Sequence, residues 1–255
     1  MNVELLIATM RSQAAHNLEL FATPEVSYLV IDQLPGAGQA YPDCARVVGM
    51  QETGLSRSRN RALALARGDI AVLADDDIHH APQLAAALRD AYTATGADFI
   101  TFNNGSHRPT ASGRLKAHTR RSVLQVSSCL ISLRPDAFRD AGLCFDERFG
   151  LGAPFGSGEE NILLFDAIGC GLKGWHLDLP LVFHEAVSTG YRFTPALAES
   201  KGALQWRLFG AAGYLTMLAF AWKKRPLYRE QMSFLQFVAA ELRGAHRYRQ
   251  ECSHG

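Results

Sequence analysis

Little in this chain points to export, to disulfide chemistry or to nucleic acid. Its five cysteines (Cys44, Cys129, Cys144, Cys170 and Cys252) are scattered and form no Cys-x-x-Cys pair. Neither a disulfide framework nor a zinc ribbon is therefore expected. The formal net charge is only +1, which gives no global field to gather an anionic polymer. The longest uncharged run, Leu208–Trp222, has 15 residues, whereas a helix needs roughly 20 to cross a bilayer. No basic segment followed by an apolar core opens the chain, so no signal peptide is expected. Internal repeats and low-complexity tracts are missing too. These absences leave a globular chain of 255 residues, expected in the cytoplasm with its thiols reduced.

What is present is an alternation. Near-continuous apolar runs at Val3–Ala8, Val26–Ile31, Arg46–Met50, Asp69–Ala74 and Ala97–Phe102 read as strands. Helical patterns fall between them at Ala14–Phe21, Ser56–Arg67 and Pro82–Thr95. Strands of this kind suit a parallel sheet buried on both faces, and the alternation argues for an α/β layered domain. A polar stretch from Asn103 to Arg121 follows, then a further strand at Gln125–Leu133. A glycine-rich loop at Phe145–Gly152 leads into Gly156–Asn161, which opens a helix reaching Gly169.

The strand at 69–74 ends in Asp75-Asp76-Asp77. Three adjacent carboxylates repel one another and cannot be buried without a compensating cation. Two readings are open: a solvated acidic turn, or a site for a hard divalent metal that takes its remaining ligands from phosphate oxygens. Ligands of such sheets bind beyond the carboxyl ends of the strands. That rule gathers Thr9-Met10, Asp32-Gln33, the turn at Thr53-Gly54 and the Asp run on one rim. Ser56 is a natural N-cap for the next helix. Arg57, Arg59 and Arg61 crowd its first turns, where cations oppose the helix dipole. An anionic ligand at that end would account for them.

Gly54-Leu55-Ser56-Arg57-Ser58-Arg59-Asn60, Gly68-Asp69-Ile70, Asp75-Asp76-Asp77 and Phe149-Gly150 … Gly158-Glu159-Glu160, taken in order, resemble the family-2 glycosyltransferases. Gly171 and His184 extend the likeness, which covers roughly residues 3–190. The resemblance implies an α/β fold of GT-A type: a mainly parallel central sheet flanked by helices, with a C-terminal helical extension. Residues 1–102 would form the nucleotide-sugar-binding half, 103–199 the acceptor-binding and catalytic half, and 200–255 the extension. Carried over by position, Asp75 and Asp77 match the metal- and nucleotide-binding DxD pair, with Asp77 the direct ligand of Mg²⁺ or Mn²⁺ and Asp75 nearer the ribose. His184 matches a third, metal-proximal position, with a hydrogen-bonded structural histidine as the alternative. Thr9, Asp32 and Gln33 match the base pocket. Gly54, Ser56, Arg59, Asn60 and Asp76 match the segments beside the nucleotide.

The family usually carries Gly-Glu-Asp where this chain has Gly158-Glu159-Glu160. The second carboxylate is the family's base, so Glu160 inherits that role, with Glu159 as the alternative. Ser157-x-x-Glu160 also reads as a capping box, which would need no chemistry. The resemblance implies inverting transfer of a sugar from a nucleotide-diphosphate donor to a hydroxyl of a glycan or lipid-linked acceptor, assisted by metal. The other readings are a non-catalytic binder of sugar nucleotide or glycan, and a nucleotidyltransferase with a similar sheet. The second of these lacks its glycine-rich loop after the first strand. From Lys201 onward, nine basic residues face three acidic ones. That extension either docks on the domain or makes peripheral contact with an anionic membrane at its inner face.

Overall fold

The computed structural model describes residues 1–36, 40–107, 111–184 and 193–253. Two compact units divide the chain. Met1–Phe145 with Leu163–Glu185 form one, and Asp146–Ile162 with Ala186–Gly255 form the other.

The first unit is built on a nine-stranded sheet. β1 (Val3–Met10) lies between β2 (Val26–Gln33) and β4 (Ile70–Asp75), with β3 (Ala45–Met50) outside β2, and all four run parallel. β8 (Ile131–Leu133) runs antiparallel between β4 and β6 (Phe99–Asn104). β9 (Gly174–Phe183) is parallel to β6 and carries β5 (His79–His80) and β7 (Leu115–Ala117) as antiparallel partners. The helices of this unit are α1 (Leu55–Leu65), α2 (Leu84–Thr95), α3 (Pro135–Asp140) and most of α4 (Glu159–Gly169).

Side-chain alternation along the strands splits the core into two layers. Val3, Leu5, Ile7, Val72 and Ala74 pack with Leu84, Leu88 and Tyr92 of α2. Leu6, Leu29, Ile31 and Leu73 pack on the other face with Ala62 and Leu63 of α1, Phe138 of α3 and Leu163 of α4. Truncating such a residue, Leu73 for example, would cost about 2–5 kcal/mol. Gly68, in the turn before β4, has no room for a side chain: a Cβ there would lie 2.7 Å from that of Glu4. Its amide donates to the buried Glu4 carboxylate at 3.0 Å. This motif glycine therefore serves the amino end of the sheet, away from the Asp run.

Two expected elements differ. Ala14–Phe21 is a pair of 3-10 turns, Gln13–His16 and Leu18–Phe21, broken at Asn17, which has φ −107° and ψ 82°. Asn17 is held out of helical geometry while its side-chain amide donates to the Asp76 carbonyl at 3.2 Å. Of Gln125–Leu133 only the last three residues are strand. Ser128–Leu130 form a 3-10 turn instead.

The second unit holds α5 (Pro195–Phe209), α6 (Gly213–Tyr228) and α7 (Phe234–Ser253). The helical extension thus starts at Pro195, where Thr194 caps the Leu197 amide at 3.2 Å. α5 and α7 cross backbone to backbone: a Cβ on Gly202 would lie 1.9 Å from the Glu241 carbonyl oxygen, and one on Gly244 1.8 Å from that of Glu199. Beside the crossing Glu241 is fully buried, accepting from Gln205 Nε2 at 2.8 Å through Oε1. Its Oε2 has no partner. Burial pushes this carboxyl up to about 8, against the opposing Gln205 bond. Tyr228 stacks on Phe237 with ring centroids 4.0 Å apart.

Candidate functional site

In the first unit the carboxyl ends of β1, β2 and β4 converge at the point where the strand order turns outward from β1 in both directions. Such switch points are where open α/β sheets bind ligands. Thr9 ends β1 and is buried. Its hydroxyl donates to Asp76 Oδ2 at 2.5 Å and accepts from the Ala14 amide at 3.0 Å. Arg11 and Ser12, directly after β1, both adopt left-handed geometry, with φ of 54° and 58°. Non-glycine residues pay for that conformation and hold it only when neighbours over-determine it. Here Asp32 does so: one oxygen accepts from the Ser12 amide at 3.0 Å, the other from its hydroxyl at 2.7 Å. Tyr41 donates a further bond to Asp32 at 2.8 Å, and burial together with that carboxylate raises the phenol above its usual range.

Gln33 Oε1 accepts from the Gly54 amide at 2.7 Å, tying the end of β2 to the start of α1. Gly54, at φ 128°, stands at the helix N-cap position, and no side chain caps this terminus. Ser56 is a buried residue of the first turn, not the cap. Asn60 clamps a backbone segment, donating to the Phe145 carbonyl at 3.0 Å and accepting from its amide at 2.7 Å.

The three aspartates have three different settings. Asp75 Oδ1 pairs with Arg59 at 3.0 Å, and its Oδ2 accepts from the Cys129 thiol at 2.9 Å. Burial, then the Asp75 charge, pushes that thiol well up. Asp76 is anchored by Thr9, yet burial lifts its carboxyl above the ordinary range. Asp77 stays open at 60% exposure and meets His184 Nε2 at 3.0 Å. His79 lies 3.6 Å from Glu19, while neither ring nitrogen of His80 has a partner and burial lowers that imidazole to about 4.

Among the described residues no group of three or more His, Cys, Asp or Glu side chains is placed to hold a metal unaided. The open pair of Asp77 and His184 still fits a divalent ion that keeps waters and accepts phosphate oxygens as its remaining ligands. Sequence reasoning missed Ser12, Tyr41 and Cys129. Each lies outside the recognised motifs, and only the fold brings it against Asp32 or Asp75.

In the second unit, Glu159 and Glu160 open α4, with Glu159 at 5% exposure and Glu160 half-buried. Acidic residues suit this positive end of a helix. The serine half of the capping box does not form, because Ser157 Oγ is buried without a partner. Burial lowers the Lys201 ammonium on α5, and the fields of Glu160 and Glu159 oppose that shift. Gly158, at φ 108°, leaves space filled by Leu204.

Residues 30–143 match the family model described as glycosyl transferase family 2. No curated protein matches the sequence. Among solved structures the chain is similar to S. aureus TarS 1-349 in complex with UDP-GlcNAc, at a TM-score of 0.65 and 15% identity over 94% of this chain and 79% of that one. The same protein in complex with UDP gives 0.62 and 14%, over 91% and 74%. A mycobacterial protein gives 0.53 and 16%, over 81% and 74%. Likenesses at such identities establish the fold, which is GT-A. On that fold the family-model match runs from within β2 through α3, a little under half of the chain.

Proposed function

We propose that the chain transfers a sugar, with inversion, from a nucleoside-diphosphate sugar to a hydroxyl of a glycan or lipid-linked acceptor. The observation that carries this reading is the division of labour within Asp75-Asp76-Asp77. Two carboxylates are fixed by protein partners and the third is presented open beside His184. A solvated acidic turn has no need of a buried arginine behind it.

Asp32, Ser12 and Tyr41 form a pre-ordered polar cluster suited to a nucleoside base. The TarS structures similar in fold hold UDP and UDP-GlcNAc, which makes a uridine donor the first to try. Asp77 and His184 would hold Mg²⁺ or Mn²⁺, and such an ion supplies positive charge against a departing diphosphate. Glu160 would take the proton of the acceptor hydroxyl as that oxygen attacks the anomeric carbon. Its open, half-buried setting favours it over the enclosed Glu159. Attack from the face opposite the leaving diphosphate inverts the centre and needs no glycosyl-enzyme intermediate. The basic extension would add peripheral contact with a membrane bearing the acceptor. Among the described residues no helix is long and apolar enough to cross a membrane.

The test is donor hydrolysis and transfer across the common sugar nucleotides, with and without Mn²⁺. Metal-dependent release of a nucleoside diphosphate from one donor supports the reading. Binding without any turnover on every donor and acceptor would move the chain to the non-catalytic class.

A further inference from the structure

α6 is apolar on both of its long sides, and its own unit covers only one of them. Gly213, Met217, Ala221 and Tyr228 face inward and are buried. On the opposite side Leu215, Leu218 and Trp222 recur at three- and four-residue spacing and stand 73%, 48% and 68% exposed. The solvent side of a surface helix ordinarily carries charge, so three large apolar residues in register there call for an occupant. The next turn supplies the charge. Arg225 and Arg229 continue the same stripe, and Lys223 flanks it, all exposed. The Arg225 guanidinium lies 5.9 Å from the Trp222 ring centroid.

We propose that this side of α6 is a docking surface for an anionic lipid bilayer. Leucines and a tryptophan followed by exposed cations match the two layers such a surface offers, acyl chains beneath and acidic headgroups above. Charge complementarity decides the occupant. A second copy of the chain would bring the same surplus of positive charge to the contact, whereas a lipid surface brings the opposite sign. At about 1.5 Å per residue the helix is some 24 Å long, enough to lie in the headgroup plane. Docking takes the transfer reading one step further, since it would hold the chain where lipid-linked acceptors reside. The binding itself does not need the donor site.

The experiment uses the full chain without donor, sedimented with phosphatidylcholine vesicles with and without phosphatidylglycerol. Binding is expected only with phosphatidylglycerol, reversed by salt, with a blue shift of tryptophan emission. Trp222→Glu should abolish it. Replacing Lys223, Arg225 and Arg229 together by Gln should weaken it about a hundredfold. Melting temperature and nucleoside-diphosphate binding should stay at wild-type values in both variants, so loss of vesicle binding would not touch the transfer reading. Absence of wild-type binding to phosphatidylglycerol vesicles, or equal binding to both vesicle types, would overturn the proposal. So would self-association in place of vesicle binding that Trp222→Glu removes.

Discussion

The guanidinium of Arg59, 2% exposed, lies 3.0 Å from the Asp75 carboxylate and 5.8 Å from the Phe145 ring centroid. On sequence alone, arginines in the first turns of α1 ask for an anionic ligand. The structure turns this one to face its own chain, and its cation holds the first carboxylate of the acidic run in place. Arg57 likewise meets Glu52 at 3.2 Å.

Arg59→Ala should therefore cost stability. Removing a buried cation and stranding its partner costs about 3–5 kcal/mol in a closed site. Asp75 is partly open to water, so about 2 kcal/mol is expected here. Denaturant unfolding should show that loss. An unchanged midpoint with weakened nucleotide binding would restore the ligand-binding role.

Asp77→Asn should leave the fold intact, since the side chain is largely exposed. Calorimetry should show Mn²⁺-dependent nucleoside-diphosphate affinity reduced at least tenfold, with His184→Ala showing a smaller loss. Undiminished affinity in both variants would remove the metal from this corner.

Glu160→Gln should melt near wild type, bind donor normally and lose about 10²–10⁴-fold in transfer rate. If Glu159→Gln lost transfer while Glu160→Gln kept it, the base would move back one residue.

Glu241 gives the second unit a pH dependence. Its folded carboxyl titrates at about 8, above the ordinary value of 4.5. The folded state therefore holds a proton that the unfolded state gives up. Its contribution is full below about 4.5 and is lost as pH rises through about 8, with a slope of at most about 1.4 kcal/mol per pH unit. Glu241→Gln should flatten this decline in a series of melting curves. An equal slope in wild type and variant would assign the decline elsewhere.

The parallel core was legible because its strands are long apolar runs, and the acidic rim because it ends one of them. The irregular pieces were not. Asn17 breaks a helix to reach the Asp76 carbonyl, and a 3-10 turn replaces strand where Cys129 meets Asp75. Both departures follow from tertiary hydrogen bonds that local periodicity does not encode. Gly68 had a motif's visibility, yet its reason is lack of room: a Cβ there would lie only 2.7 Å from that of Glu4. The two sides of α6 looked alike in sequence, since composition cannot say which of two apolar stripes finds a partner.

The glycine crossing of α5 and α7 has a consequence measurable amide by amide. Two backbones in direct contact cannot part by a side-chain rotation, so water reaches them only when the helices separate. Amide protons around Gly202 and Gly244 should then exchange with deuterium among the slowest of the second unit, at the rate of its cooperative opening. Exposed residues of α6 such as Leu215 should exchange by local fraying. A single methyl group added at Gly244 should bring both classes to the same fast rate.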